Sequence, residues 1–383
     1  MNHNEFKILV VEDNQLNRKM ITHILKKNAY QVDEADNGKL ALEKIDSWKP
    51  DLVLLDIVMP EMDGLEVLQI IRSKLTQAEL PVILVTAMQG SEDIVKGLQL
   101  GANDYLPKNF NIEELFARVN TALEIRKYHN LLKQRNKTIE RELDIARLIQ
   151  KKLLPISAPT IPGYSIHSTY EPLDKVGGDY YDFNEMKDYC DFFIADVSGH
   201  GVPGAFVASI LKMTTQYTNQ FNYSLAEILR IMDQAVAERG ANGMFATAAI
   251  LRLFPEKGLI QYSSAGHPPI LIHRRSKDEF IELSTKGAPL GINYDLKKKP
   301  FQEGEFSLLK GDRIILFTDG ITETENEAGI PYENEEWKKF LIHNKEKPLV
   351  SLSLKLIESL KKFSNKNQFE DDITWVVIDY AGK

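Results

Sequence analysis

The sequence holds a single cysteine, Cys190, among 383 residues. No disulfide can form within the chain, and nothing points to an oxidising compartment. No apolar stretch approaches the roughly 20 residues that a bilayer-spanning helix needs. Met1 to Glu12 lacks the basic start and small-residue cleavage site of a secretory signal. These absences predict a cytoplasmic protein with no membrane association. A cationic surplus is missing too: 47 Lys plus Arg stand against 55 Asp plus Glu, a formal net charge of −8. That sign argues against coating nucleic acid or anionic lipid. No basic recognition helix with a turn signature is found, so a DNA-binding output is set aside. Glycine and proline are both missing from Ala122 to Leu154.

What is present is an ordinary globular composition, 43% apolar and 27% charged. At roughly 100–200 residues per domain the length suits two or three domains. The charge divides unevenly. Residues 1–121 carry 13 basic and 19 acidic groups, residues 122–154 nine and four, and residues 155–383 25 and 32.

Residues 1–121 alternate short apolar runs (Lys7 to Val11, Leu52 to Leu55, Val82 to Val85) with amphipathic stretches such as Asn14 to Lys27 and Gly38 to Ser47. Continuous apolar strands separated by helices predict a parallel, doubly wound α/β sheet covered on both faces. In such a sheet the strands' carboxyl ends converge on the ligand edge. Glu12 and Asp13 end the first strand there and Asp56 the third, while Thr86 ends the fourth and Lys108 follows the fifth. Three carboxylates held together call for a divalent cation, and all-oxygen ligation suits Mg²⁺. Such a set can hold the ion and one aspartate while a phosphoryl group transfers to it, with Lys108 pairing the phosphoryl oxygens.

On the residues Leu9-Val10-Val11-Glu12-Asp13, Leu54-Leu55-Asp56-Ile57-Val58-Met59-Pro60, Asp63-Gly64, Thr86-Ala87, Tyr105 and Lys108, this region resembles a flavodoxin-like response-regulator receiver domain. The resemblance implies Asp56 as phosphoacceptor, Glu12, Asp13 and Asp56 as Mg²⁺ ligands, and Thr86 with Tyr105 as a switch pair. It also implies a histidine kinase as phosphodonor. One departure is visible: Asn109, not proline, follows Lys108, so a cis bond there would cost about 3 kcal/mol or more and a trans peptide is expected.

In residues 122–154, Ile125, Leu132, Ile139, Ala146 and Leu153 recur at seven-residue steps, with a poorer companion column of His129, Asn136, Leu143 and Gln150. The repeat predicts a helical coiled-coil linker that pairs two copies of the chain, and a polar Asn in the seam can set its register.

Pro155, Pro159 and Pro162 end the helix and open residues 155–383. Strands are expected at Asp191 to Asp196, Ala246 to Phe254, Leu259 to Ser263, Ile270 to His273, Arg313 to Thr318 and Ile373 to Asp379. Helices are expected near Ala205 to Thr218, Leu225 to Glu238 and Leu349 to Phe363. This mix predicts an α+β domain or layered β-sandwich. Four acidic motifs punctuate it: Gly177-Gly178-Asp179-Tyr180-Tyr181-Asp182, Ile194-Ala195-Asp196-Val197-Ser198-Gly199-His200-Gly201, Phe317-Thr318-Asp319-Gly320 and Asp371-Asp372-Ile373-Thr374. Acidic strand ends without clustered His or Cys favour Mg²⁺ or Mn²⁺ over zinc. Two such ions can bridge a hydroxide and clamp phosphate oxygens for in-line attack.

These motifs, preceded by Glu142-Leu143-Asp144-Ile145-Ala146-Arg147 through Gln150 to Leu153-Leu154-Pro155, resemble the metal-dependent protein phosphatases (PPM) of the bacterial SpoIIE/RsbU type. The resemblance implies two Mn²⁺ or Mg²⁺ ions. Asp196 would bridge them, Val197 would lend its carbonyl, Asp319 and Asp371 would hold the first ion, and Asp179 the second, directly or through water. Asp372 could exchange with Asp371, and Asp182 reads as a supporting or capping group. The implied activity is a phosphoserine/phosphothreonine phosphatase under receiver control. Its implied substrate is a STAS-type anti-sigma-factor antagonist. The rival reading is a non-catalytic partner-binding scaffold. Gly177-Gly178-Asp179 also opens a diguanylate cyclase signature, but that continues Glu-Phe where Tyr180-Tyr181 stand here. His267 is expected to be structural and Cys190 a strand-end or core residue.

Overall fold

The computed structural model describes residues 3–87, 91–173, 175–199, 201–240, 243–292, 301–366 and 368–382. Two compact units emerge, Met1–Glu140 and Arg141–Lys383.

In the first unit, strands β1 (Lys7–Val11), β2 (Gln31–Ala35), β3 (Leu52–Asp56), β4 (Val82–Thr86) and β5 (Asp104–Pro107) alternate with helices. The helices are α1 (Gln15–Lys27), α2 (Gly38–Trp48), α3 (Gly64–Arg72), α4 (Ser91–Gln99) and α5 (Ile112–Leu153). The strands form one sheet in the order β2-β1-β3-β4-β5, every pairing parallel. Alternate residues explain the two-sided core. Ile8, Val10, Leu52, Leu54, Ile83 and Val85 pack with α1 and α5, whereas Leu9, Val11, Val53, Leu55, Val82 and Leu84 pack with α2 and α3. Each such buried side chain contributes about 1.5–3 kcal/mol. Strand order reverses between β1 and β3, which opens the crevice at their carboxyl ends.

Helix α5 runs 42 residues without a break. Its Leu115, Val119, Ala122 and Leu123 belong to the receiver core. Farther along, Ile125, Leu132 and Ile139 of the seven-residue column are 46%, 61% and 53% exposed.

The second unit is a sandwich of two antiparallel sheets, β13-β10-β9-β8-β7 and β12-β11-β14-β15-β6. The first contains β7 (Tyr180–Glu185), β8 (Cys190–Val197), β9 (Ala246–Phe254), β10 (Leu259–Ala265) and β13 (Glu303–Ser307). The second contains β6 (Tyr164–Glu171), β11 (Ile270–Arg274), β12 (Glu279–Leu283), β14 (Asp312–Phe317) and β15 (Ile373–Tyr380). Phe192, Ile194, Leu251, Ile272, Ile314, Val376 and Ile378 fill the space between them. Helices α6 (Val202–Thr218) and α7 (Leu225–Arg239) cover the outer face of the first sheet. Helices α8 (Asn334–His343) and α9 (Leu349–Ser364) cover the second. Helix α6 starts three residues ahead of the expected Ala205, because Pro203 sits in its first turn, where no N–H is needed. Among the described residues no peptide is cis, so the bond after Lys108 is trans.

Candidate functional site

Carboxylates gather in both units. In the first, Glu12, Asp13 and Asp56 each place a carboxylate oxygen within 4.8 Å of the others, Glu12 and Asp56 buried and Asp13 exposed. Lys108 Nζ lies 2.7 Å from Asp56 Oδ2 and 2.8 Å from Glu12 Oε2. Burial drives the Asp56 carboxyl above its ordinary range, and nearby Glu12 adds to this while Lys108 opposes it. Burial pulls the Lys108 ammonium down, but its bonds to Asp56 and Glu12 hold it above normal. One cation among three acids leaves this oxygen set short of positive charge, which fits Mg²⁺. Gly64 is needed beside the crevice, since a Cβ there would lie 2.1 Å from the Asp56 carbonyl oxygen. Asp63 and Glu66 form a capping box that starts α3 at this point. Thr86 is buried at the end of β4, and its carbonyl accepts the Lys108 N–H at 2.8 Å. Tyr105, half-buried on β5, lies under the Arg118 guanidinium at 5.2 Å.

In the second unit the acids come from neighbouring strand ends. Asp196 lies near the end of β8, and Asp179 immediately precedes β7, whose Tyr180 pairs with Ala195. Asp319 opens a single helical turn after β14, and Asp371 and Asp372 precede β15. The two sheets are tied at this edge: Thr318 Oγ1 and Thr374 Oγ1 donate to Asp179 Oδ2 at 2.8 and 2.5 Å. Burial, with the charges of Asp319, Asp371 and Asp372, pushes Asp196 up to about 7. Asp179 is also raised well above the carboxylate range, by burial and by Asp196. A like-charged, all-oxygen donor set of this kind fits a hard divalent cation. It is looser than the receiver's, which is the only group among the described residues with three ligand atoms within 4.8 Å.

Asp372 and Asp371 differ in what their oxygens do. Asp372 is buried and accepts the N–H groups of Leu173 at 2.7 Å, Gly178 at 2.5 Å and Asp179 at 3.1 Å. Asp371 is exposed and accepts the Asp372 N–H at 2.7 Å. Asp182 is buried and takes up Lys212 Nζ at 2.8 Å, the Tyr180 hydroxyl at 2.6 Å and the Phe183 N–H at 3.0 Å. Val197 closes β8, buried. His267 is a buried imidazole held to Thr247 Oγ1 at 2.8 Å, and burial drives it down to about 3, so it stays neutral. Cys190 lies in the inter-sheet core, its thiol pushed up to about 12 by burial. His200 lies outside the described residues.

Three participants were not singled out from the sequence: Thr318, Thr374 and Gln150. The two threonines stand beside acidic residues already in the motifs, which was the available signal. Gln150 is 5% exposed near the end of α5, and its side-chain amide grips the backbone of Gly177.

Residues 187–381 match the family described as Stage II sporulation protein E (SpoIIE). Residues 8–120 match the response regulator receiver domain. The phosphoserine phosphatase RsbU of Bacillus subtilis (strain 168) is 29% identical over 250 residues, 65% of this chain and 73% of that one. The response regulator MprA of Mycolicibacterium vanbaalenii is 44% identical over 117 residues, and the chain spans half of its length. The SiaA-PP2C domain of Pseudomonas aeruginosa superposes with a TM-score of 0.56 at 25% identity, over 64% of this chain and 98% of that domain. Asp196, Asp319, Asp371 and Asp372 lie inside the matched phosphatase span, and Asp179 just ahead of it. The chain belongs to the SpoIIE family and carries a response regulator receiver domain ahead of its PP2C-type domain.

Proposed function

We propose that this chain is a two-component response regulator whose output is a metal-dependent phosphoserine/phosphothreonine protein phosphatase. The observation that carries the proposal is the pair of carboxylate clusters on one chain, with one unbroken helix, Ile112–Leu153, between their sequences. Domain limits of 1–121 for the receiver, 122–154 for the linker and 155–383 for the phosphatase accompany it.

In the receiver, Glu12, Asp13 and Asp56 hold Mg²⁺, and Asp56 takes a phosphoryl group from a histidine kinase. The P–N bond of the phosphohistidine breaks as an acyl phosphate P–O bond forms. Lys108, already within 2.7 Å of Asp56, pairs the incoming phosphoryl oxygens. Thr86 and Tyr105 then read the change in charge. In the phosphatase, Asp196, Asp319, Asp371 and Asp179 hold two Mn²⁺ or Mg²⁺ ions, with the Val197 carbonyl beside them. When bound, these ions supply the positive charge that activates water and offsets the phosphoryl oxygens. Asp371 is the better ligand than its neighbour, because Asp372 spends its oxygens on three backbone N–H groups. Asp182, paired with Lys212, is a supporting group rather than a ligand.

Likeness to a phosphoserine phosphatase supports a phosphoprotein substrate. The family resemblance narrows it to a STAS-type anti-sigma-factor antagonist in a partner-switching pathway, in the cytoplasm. The exposed seven-residue column Ile125, Leu132 and Ile139 supports homodimerisation through residues 122–154. No described helix is long and apolar enough to cross a membrane. The looser packing of acids in the second unit favours one rival, a scaffold that binds the phosphoprotein without turnover. Phosphate release from a phosphoserine protein with Mn²⁺ decides between them. Wild type should turn over and Asp319→Ala should fall by about 10²-fold or more. Equal, negligible release from both would favour the scaffold.

A further inference from the structure

Residues 175–179 carry Asp179 to its place without belonging to either sheet, so their backbone groups need partners from elsewhere. Two successive N–H groups, of Gly178 and Asp179, go to Asp372 Oδ2. The carbonyl of Val176 accepts the Gly201 N–H at 3.1 Å. A Cβ on Gly178 would lie 2.9 Å from the carbonyl oxygens of both Val197 and Gly199, so the loop is pressed against the end of β8. The N–H and C=O of Gly177 are both taken by one side chain. Gln150 Nε2 donates to the Gly177 carbonyl at 2.6 Å, and Gln150 Oε1 accepts the Gly177 N–H at 3.1 Å.

A side-chain amide carries a donor and an acceptor side by side, so it can meet a peptide's C=O and N–H together, as a neighbouring strand would. This pair is buried, so breaking it strands two backbone groups away from water. A second tether, Lys175 to Asp144 at 2.7 Å, joins the same helix to the same loop, but both side chains are more than a third exposed and solvent weakens it. Gln150 also falls in the polar companion column of the seven-residue repeat, yet it faces the loop rather than a helical partner. Geometry makes the clamp sensitive. One residue's rise along a helix is about 1.5 Å, far beyond what a hydrogen bond of ordinary length tolerates.

We propose that Gln150 is a positioning residue: by clamping Gly177 it sets the placement of Asp179, and so governs how tightly the phosphatase unit holds a divalent cation. This rests on the reading of Asp179 as a metal ligand.

The test uses the full chain in a background of Asp13→Asn, which removes a receiver ligand, with Mn²⁺ binding followed by electron paramagnetic resonance. Hydrogen exchange of the peptide spanning residues 173–180 is measured alongside. Gln150→Met keeps length and volume but loses the clamp; Gln150→Glu keeps the acceptor for Gly177 N–H and loses the donor. Gln150→Met should bind Mn²⁺ about 10-fold more weakly, in the range seen when groups orienting metal ligands are removed, and its loop should exchange faster. Gln150→Glu should fall between, and it carries the comparison if the methionine variant does not fold. A merely structural glutamine would change melting temperature and leave Mn²⁺ affinity alone. Unchanged affinity and unchanged loop protection in both variants would overturn the proposal. If Asp319→Ala binds Mn²⁺ as the parent does, the metal-site reading itself falls, and the proposal with it.

Discussion

In the receiver, Lys108 Nζ stands between Asp56 and Glu12, at 2.7 and 2.8 Å, with both carboxylates almost wholly buried. Lys108→Ala would leave two like charges facing each other. Fully buried pairs lose about 3–5 kcal/mol when broken; Lys108 is a quarter exposed, so about 1–3 kcal/mol is expected. Chemical denaturation should show that loss, and Mg²⁺ should recover more stability in the variant than in wild type. Asp196 presents a different case, an acid crowded by Asp319, Asp371 and Asp372. Its folded pKa of about 7 lies above the unfolded value of 3.8, so the folded state holds a proton that the unfolded state releases. The resulting stability is present below the unfolded pKa and is lost as pH rises through about 7. Chelator-treated protein should therefore melt at falling temperature between about pH 4 and about 7, and Asp196→Asn should flatten that slope. Identical slopes in thermal melts of the two proteins would contradict this origin.

At the scale of elements, legibility followed burial. Every strand announced by a continuous apolar run, Lys7–Val11, Leu52–Asp56, Val82–Thr86 and the inner strands of the sandwich, lies inside its sheet. The strands without such a run, among them Gln31–Ala35, Tyr164–Glu171, Tyr180–Glu185, Glu279–Leu283 and Glu303–Ser307, are all sheet edges. An edge strand buries less and tolerates charge, as in the alternating Glu303-Gly304-Glu305-Phe306-Ser307. Helix α8 was hidden for the same reason, its Asn-Glu-Glu start and paired lysines masking the core residues Trp337, Phe340 and Leu341. The candidate ligands were picked out because the acids sit where apolar runs begin or end. The groups that hold those acids were not, since Gln150 and Thr374 mean nothing until distant segments meet. For α5, the exposed Leu132 and Ile139 carry a further prediction. Leu132→Lys with Ile139→Lys should convert a dimer to a monomer in analytical ultracentrifugation, while a single-species monomer in the wild type would dismiss the pairing.

For the whole molecule, part of the formal charge of −8 sits in two groups of carboxylates whose oxygen donors suit divalent cations. Neither centre alone accounts for the chain; the receiver lacks an output and the phosphatase lacks an input. Helix α5 contributes Leu115, Val119, Ala122 and Leu123 to the receiver core and, near its other end, Gln150 to the Gly177 backbone, and the proposed coupling runs along it. The most direct measurement is turnover of a phosphoserine protein by the full chain with Mn²⁺, with and without beryllofluoride, in wild type and Asp56→Ala. The account predicts that beryllofluoride changes the wild-type rate by about fivefold or more, the lower end of common coupling energies, and leaves Asp56→Ala unaffected. Equal rates in all four conditions would contradict it.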